Sequence, residues 1–115
     1  MEAHKLNMLE VLLEEFAQEV HATAVSKGWW DDQRSGGECI ALMHSELSEA
    51  LEAMRAGNPP DDKIPYFCGV EAELADTIIR ILDFAASKGY KVSAAMICKA
   101  AFNKTRERKH GGKVF

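Results

Sequence analysis

Leu6, Leu9, Leu13, Phe16, Val20 and Ala24 recur at intervals of three and four, with Glu10, Glu14, Glu15 and Glu19 between them. Positions so spaced share one face of a 3.6-residue turn, which predicts an amphipathic helix over residues 5–26. Gly28 is a suitable stop. The stretch Gly28-Trp29-Trp30-Asp31-Asp32-Gln33-Arg34-Ser35-Gly36-Gly37 is too rich in glycine and polar residues to continue it. A second helical pattern covers residues 38–56 and is broken by Gly57-Asn58-Pro59-Pro60-Asp61-Asp62 and Pro65. A third covers residues 70–87 and ends at Gly89. Ser93 is placed to cap a fourth, residues 94–108, which Gly111 and Gly112 would close. No strand-like alternation competes. The expectation is one all-α domain, residues 1–115, built as a four-helix bundle with loops of roughly four to thirteen residues.

Composition supports a packed domain without narrowing its function: 47% of the 115 residues are hydrophobic. No apolar run reaches the length of a membrane span, and Met1-Glu2-Ala3-His4 lacks a secretory start. Cys39, Cys68 and Cys98 have neither disulfide nor zinc spacing, so buried thiols in a reducing, cytoplasmic setting are expected. The net charge of -4 hides an asymmetry: residues 1–90 carry 17 acids and 7 bases, residues 91–115 one acid and seven bases. Such halves can pair within a bundle or surround a metal-bound polyphosphate. The acidic majority disfavours nucleic acid as a partner.

On the second helix Ile40, Met43, Leu47, Ala50, Leu51 and Met54 form the apolar arc, yet Glu46 falls inside it and Glu49 lies one turn on. A carboxylate among core residues is costly unless protonated, paired or metal-bound, so either a hydrogen-bonded buried acid or a ligand fits. On the third helix Val70, Leu74, Ile78, Ile81, Leu82 and Ala85 read as the core side. Glu73 and Asp76 share a stripe with Arg80 and Asp83 that, by periodicity alone, reads as a solvated face. The two acid pairs lie on consecutive helices, however, and can face each other in an antiparallel hairpin, where a hard divalent cation would relieve their repulsion. A di-iron site needs two Glu-x-x-His motifs, and only Glu107-x-x-His110 has that spacing.

On the fourth helix Lys99, Asn103 and Arg106 share a face, and Lys113 follows in the basic tail; the group can meet phosphate or simply be a solvated helix end. Trp29 and Trp30 in a polar loop suit packing or stacking on a base. His4, His21 and His44 lack metal-ligand spacing and read as structural or surface residues.

With these residues in view, the sequence resembles the MazG-like all-α nucleoside triphosphate pyrophosphatases of the short single-domain type. The likeness rests on His44-Ser45-Glu46-Leu47-Ser48-Glu49-Ala50-Leu51-Glu52-Ala53, on Glu71-Ala72-Glu73-Leu74-Ala75-Asp76-Thr77-Ile78-Ile79, and on Lys99, Asn103-Lys104-Thr105-Arg106 and His110-Gly111-Gly112-Lys113. Ser45 stands where many longer relatives of that family have a further glutamate. The resemblance implies hydrolysis of a (d)NTP to the (d)NMP and pyrophosphate, with nucleotide-pool house-cleaning as the role. It assigns Mg²⁺, with Mn²⁺ as an alternative ion, to Glu46, Glu49, Glu73 and Asp76. Glu49 or Glu46 would activate the attacking water. Phosphates would meet Lys99, Asn103, Arg106 and Lys113, and the base Trp29 and Trp30. It also implies a homo-oligomer, dimer or tetramer. The competing expectations are a non-catalytic helical interaction module and a slow nucleotide-sensing protein.

Overall fold

The computed structural model describes all 115 residues and contains no strand, only an isolated bridge between Pro60 and Cys68. Helices α1 (Ala3–Ser26), α2 (Gly36–Arg55), α3 (Gly69–Lys88) and α4 (Val92–Thr105) follow the predicted order, and a four-residue element, α5 (Lys109–Gly112), lies in the tail. No helix is long and apolar enough to cross a membrane. The all-α expectation therefore holds.

The boundaries show which local signals prevailed. Gly36 and Gly37, read as loop, form the first turn of α2, because Ser35 caps it by accepting the Glu38 N–H at 3.1 Å. Glu71 reaches back to the Cys68 N–H at 3.0 Å to start α3, and Gly89 ends it at φ 72°, a left-handed conformation that suits glycine. Ser93 is not the α4 cap. The helix begins at Val92 after Lys91, and Ser93 is buried at 2% exposure within the first turn. α4 also stops short of the expected residue 108, with Arg106 extended. Every residue from Cys98 onward is exposed. All four φ angles of Lys109–Gly112 are positive, which makes α5 a left-handed turn rather than a fifth rod.

α2 and α3 form a hairpin. Asn58, at φ 53°, accepts the Val70 N–H through its side chain, and a Cβ on Gly69 would lie 3.0 Å from that of Ala53, so the two backbones approach closely there. The α2 seam is Cys39, Met43, Glu46 and Ala50, all buried. The opposing α3 seam runs through Val70, Glu73, Thr77, Arg80 and Phe84, none of them exposed. These are coiled-coil-like intervals of three and four. α1 packs on the adjacent side of α3 through Leu13, Ala17, Val20, His21 and Ala24, and α4 packs on α1.

This corrects the predicted core. Met43, Ala50, Leu82 and Ala85 are buried, but Ile40, Leu47, Leu51 and Met54 on α2 and Leu74 and Ile78 on α3 are exposed, Ile78 at 56%. Phe16 on α1 is exposed as well. Each apolar arc is wide enough to hold two stripes, and on α2 and the first half of α3 only one meets a neighbour within the chain. The other, one position later along α2 and α3, lies about 100° around each helix. In an antiparallel hairpin those two displaced stripes emerge on the same side, opposite the side that α1 covers.

Candidate metal centre and adjoining cavity

Glu46 is 7% exposed in the middle of the α2 seam, and its neighbour across the hairpin is Arg80, whose Nε donates to Glu46 Oε1 at 2.7 Å. The seam's spacing of three and four sets position 46 in the core, so this carboxylate occupies a core position. One turn further, Glu49 lies at the exposed rim of the seam, and Glu73 reaches in from α3. One carboxylate oxygen from each of Glu46, Glu49 and Glu73 lies within 4.8 Å of the other two.

That crowding has a chemical consequence. Burial, followed by hydrogen bonding to Glu46 and Glu49, pushes the Glu73 carboxyl up to about 7. A proton shared among these acids lessens their mutual repulsion without a metal. Even so, the Glu73 Oε2 atom is buried and has no hydrogen-bond partner. A buried acceptor without a donor is an unfavourable arrangement that a cation would relieve. The donor set is all carboxylate oxygen, suited to hard divalent ions rather than to soft thiophilic ones.

Asp76 belongs to the neighbourhood and not to the tight trio. Its pKa is raised by partial desolvation beside its neighbours and by the Glu46 charge, against the pull of Arg80. With Glu46 and Arg80 it lines a cavity of about 240 Å³ between α1, α3 and the loop before α2, whose other walls include Thr23, Lys27, Trp29, Arg34 and Asp83. Trp29 is 55% exposed there, with the Arg34 guanidinium 5.3 Å from its ring centroid. The cavity is thus continuous with the carboxylates and carries an aromatic face and three cationic side chains.

Trp30 has a different position from its neighbour. Its indole N–H donates to the Asp83 carboxylate at 2.9 and 3.2 Å, and its ring meets His21 edge-on at 5.6 Å. It anchors the loop and does not line the cavity, so Trp29 is the indole presented there. His21, expected to be structural or on the surface, is structural: it contacts Asp83, 62 positions away, a partner that no sequence spacing signals.

Lys99, Asn103, Arg106 and Lys113 are exposed and make no hydrogen bond or ion pair with the acidic residues of this chain. Lys99 and Arg106 lie over the Phe102 ring instead, at 5.5 and 5.8 Å. Because α4 runs along α1, the structure does not bring this basic face to the α2–α3 cluster of the same chain. No family model matches the sequence, and no curated protein or solved structure is significantly similar to it.

Proposed function

We propose that the protein is a Mg²⁺-dependent nucleoside triphosphate pyrophosphatase that hydrolyses a (d)NTP to the (d)NMP and pyrophosphate and works as a homo-oligomer in nucleotide-pool house-cleaning. The observation that carries this reading is the meeting of Glu46, Glu49 and Glu73 within 4.8 Å, beside a cavity walled by Trp29, Arg34 and Lys27. The two acidic motifs resemble those of the MazG-like enzymes, and the hairpin sets them side by side.

Glu46, Glu49 and Glu73 would hold the ion, with Asp76 beside them. When bound, Mg²⁺ supplies charge neutralisation at the phosphate oxygens and acidifies water. The remaining tasks belong to the chain. Glu49, at the exposed rim, is placed to accept a proton from the attacking water. Glu73 must surrender its proton before the site can load, so binding is linked to pH. Trp29 offers a face to the base, and Lys27 and Arg34 offer charge to the anionic groups.

The homo-oligomer is supported by area. The chain exposes 8686 Å², whereas a compact monomer of its mass exposes about 6,200 Å². Its radius of gyration is 16.5 Å, against about 13 Å for a compact domain of this length. The extended tail contributes to the excess, and so does the apolar face of Ile40, Leu47, Leu51, Met54, Leu74 and Ile78. Obligate dimers bury about 2,000–5,000 Å² in total, a range this excess can supply. A second copy would also bring its own basic α4 and tail, which have no acidic partner in their own chain's cluster.

The test is a panel of (d)NTPs with Mg²⁺ or Mn²⁺, read out as pyrophosphate against orthophosphate. Pyrophosphate as the first product supports the assignment, and orthophosphate moves the cleaved bond to the terminal phosphate. The exposed apolar face also favours a non-catalytic interaction module. In that case neither ion raises the melting temperature, since only ligands that bind the folded state do so.

A further inference from the structure

Arg80 is the only cation hydrogen-bonded to the carboxylate cluster. Its Nε–H donates to Glu46 Oε1 at 2.7 Å, its side chain is 33% exposed, and Glu46's is 10% exposed. It stands one helical turn after Asp76. Its side chain also lines the cavity that holds Trp29, Arg34 and Lys27. A buried carboxylate that loses its partner without replacement is strongly disfavoured. Glu46 therefore needs a partner, and its cationic partner in the structure is Arg80.

We propose that Arg80 is an exchangeable counter-ion: a divalent ion entering the cluster takes Glu46 from it, and the released guanidinium serves the anionic ligand in the adjoining cavity. This rests on the metal-site reading above and adds to it a residue that works on both sides of the exchange. A guanidinium suits this double role, because its planar fork of donors matches carboxylate and phosphate alike. Ion and ligand would then bind cooperatively, since the ion frees the group that the ligand uses.

The exchange predicts two effects of opposite sign. With Arg80→Gln, Glu46 has no internal competitor, so Mn²⁺ alone should bind about tenfold more tightly by calorimetry, within the usual range of coupling between sites. Pyrophosphate at saturating Mn²⁺ should bind several-fold more weakly to the same variant. Loss of a nearby positive charge moves both affinities in these directions by Coulomb interaction alone, so the variant tests Arg80's coupling to both ligands and the wild-type Nε–H resonance tests the exchange itself. Unchanged or weakened Mn²⁺ binding overturns the proposal while leaving the metal site standing, and so does undiminished pyrophosphate binding. Absence of Mn²⁺ binding in both wild type and variant overturns the metal site and the proposal together.

The exchange itself is read in the wild-type protein by nitrogen-15 NMR, which needs no folded variant. The Arg80 Nε–H resonance should shift and exchange faster with water as Mg²⁺ saturates the site. A resonance that stays in place at saturation overturns the exchange.

Discussion

Asp83 on α3 receives two donors from distant parts of the chain. His21 Nδ1 lies 2.7 Å from its Oδ1, and the Trp30 indole N–H reaches both of its oxygens. One half-buried carboxylate thereby ties α1 and the loop before α2 to α3, and that loop carries Trp29 to the cavity. Trp30→Phe, which keeps the ring and removes the donor, is expected to cost about 1–2 kcal/mol. Urea unfolding monitored by circular dichroism measures it, and a loss below the error of the fit would show that the bond contributes nothing.

The cluster predicts a pH dependence with a definite sign. Glu73 titrates at about 7 in the folded chain against 4.5 in an unfolded one. Between those values the folded state binds more protons, so stability falls as pH rises. Without divalent ions the melting temperature should drop by several degrees from pH 5 to pH 8, and Glu73→Gln should flatten that part of the profile. The added ion should restore stability above pH 7 and release protons, which appears calorimetrically as a binding enthalpy that depends on the buffer.

For the two acidic motifs, Glu49→Gln and Asp76→Asn are expected to abolish pyrophosphate release, lowering kcat at least a hundredfold by the usual size of acid–base and electrostatic contributions, about 10²–10⁴. Helicity should be unchanged, because neither side chain is buried. Wild-type turnover in either variant would remove that residue from the site.

Trp29 and Trp30 should separate cleanly in kinetics. Trp29→Ala is expected to raise KM for nucleotide roughly tenfold with kcat little altered, from stacking worth about 1–3 kcal/mol. Nucleotide should quench the fluorescence of the Trp30→Phe variant, where Trp29 is the remaining indole, and leave that of Trp29→Phe nearly unchanged.

The bare apolar face predicts association. The wild-type chain should sediment as a dimer or larger at micromolar concentration, and Leu47→Glu should shift it toward monomer and destabilise it. A wild-type monomer with undiminished stability would show that this face needs no second copy.

Much of the architecture was legible in the chain. Intervals of three and four around Leu13, Val20, Met43 and Ala50, together with the breaks at Gly57–Pro60 and Gly89, determine four helices in this order. Local periodicity and backbone restrictions need no distant partner. The position of Glu46 within an apolar arc likewise marked it as unusual. Tertiary packing decided the rest. Periodicity gives the width of an apolar stripe but not its centre, so only the hairpin could turn Glu73, Thr77 and Arg80 inward and leave Leu74 and Ile78 outside. The partners of Asp83 and the separation of Trp29 from Trp30 depend on contacts between residues more than fifty positions apart, where spacing carries no angular information. The exclusion of Lys99, Asn103 and Arg106 from the cluster of their own chain has the same origin, because the direction in which α4 leaves α3 is set by the surface of α1 available to cover it.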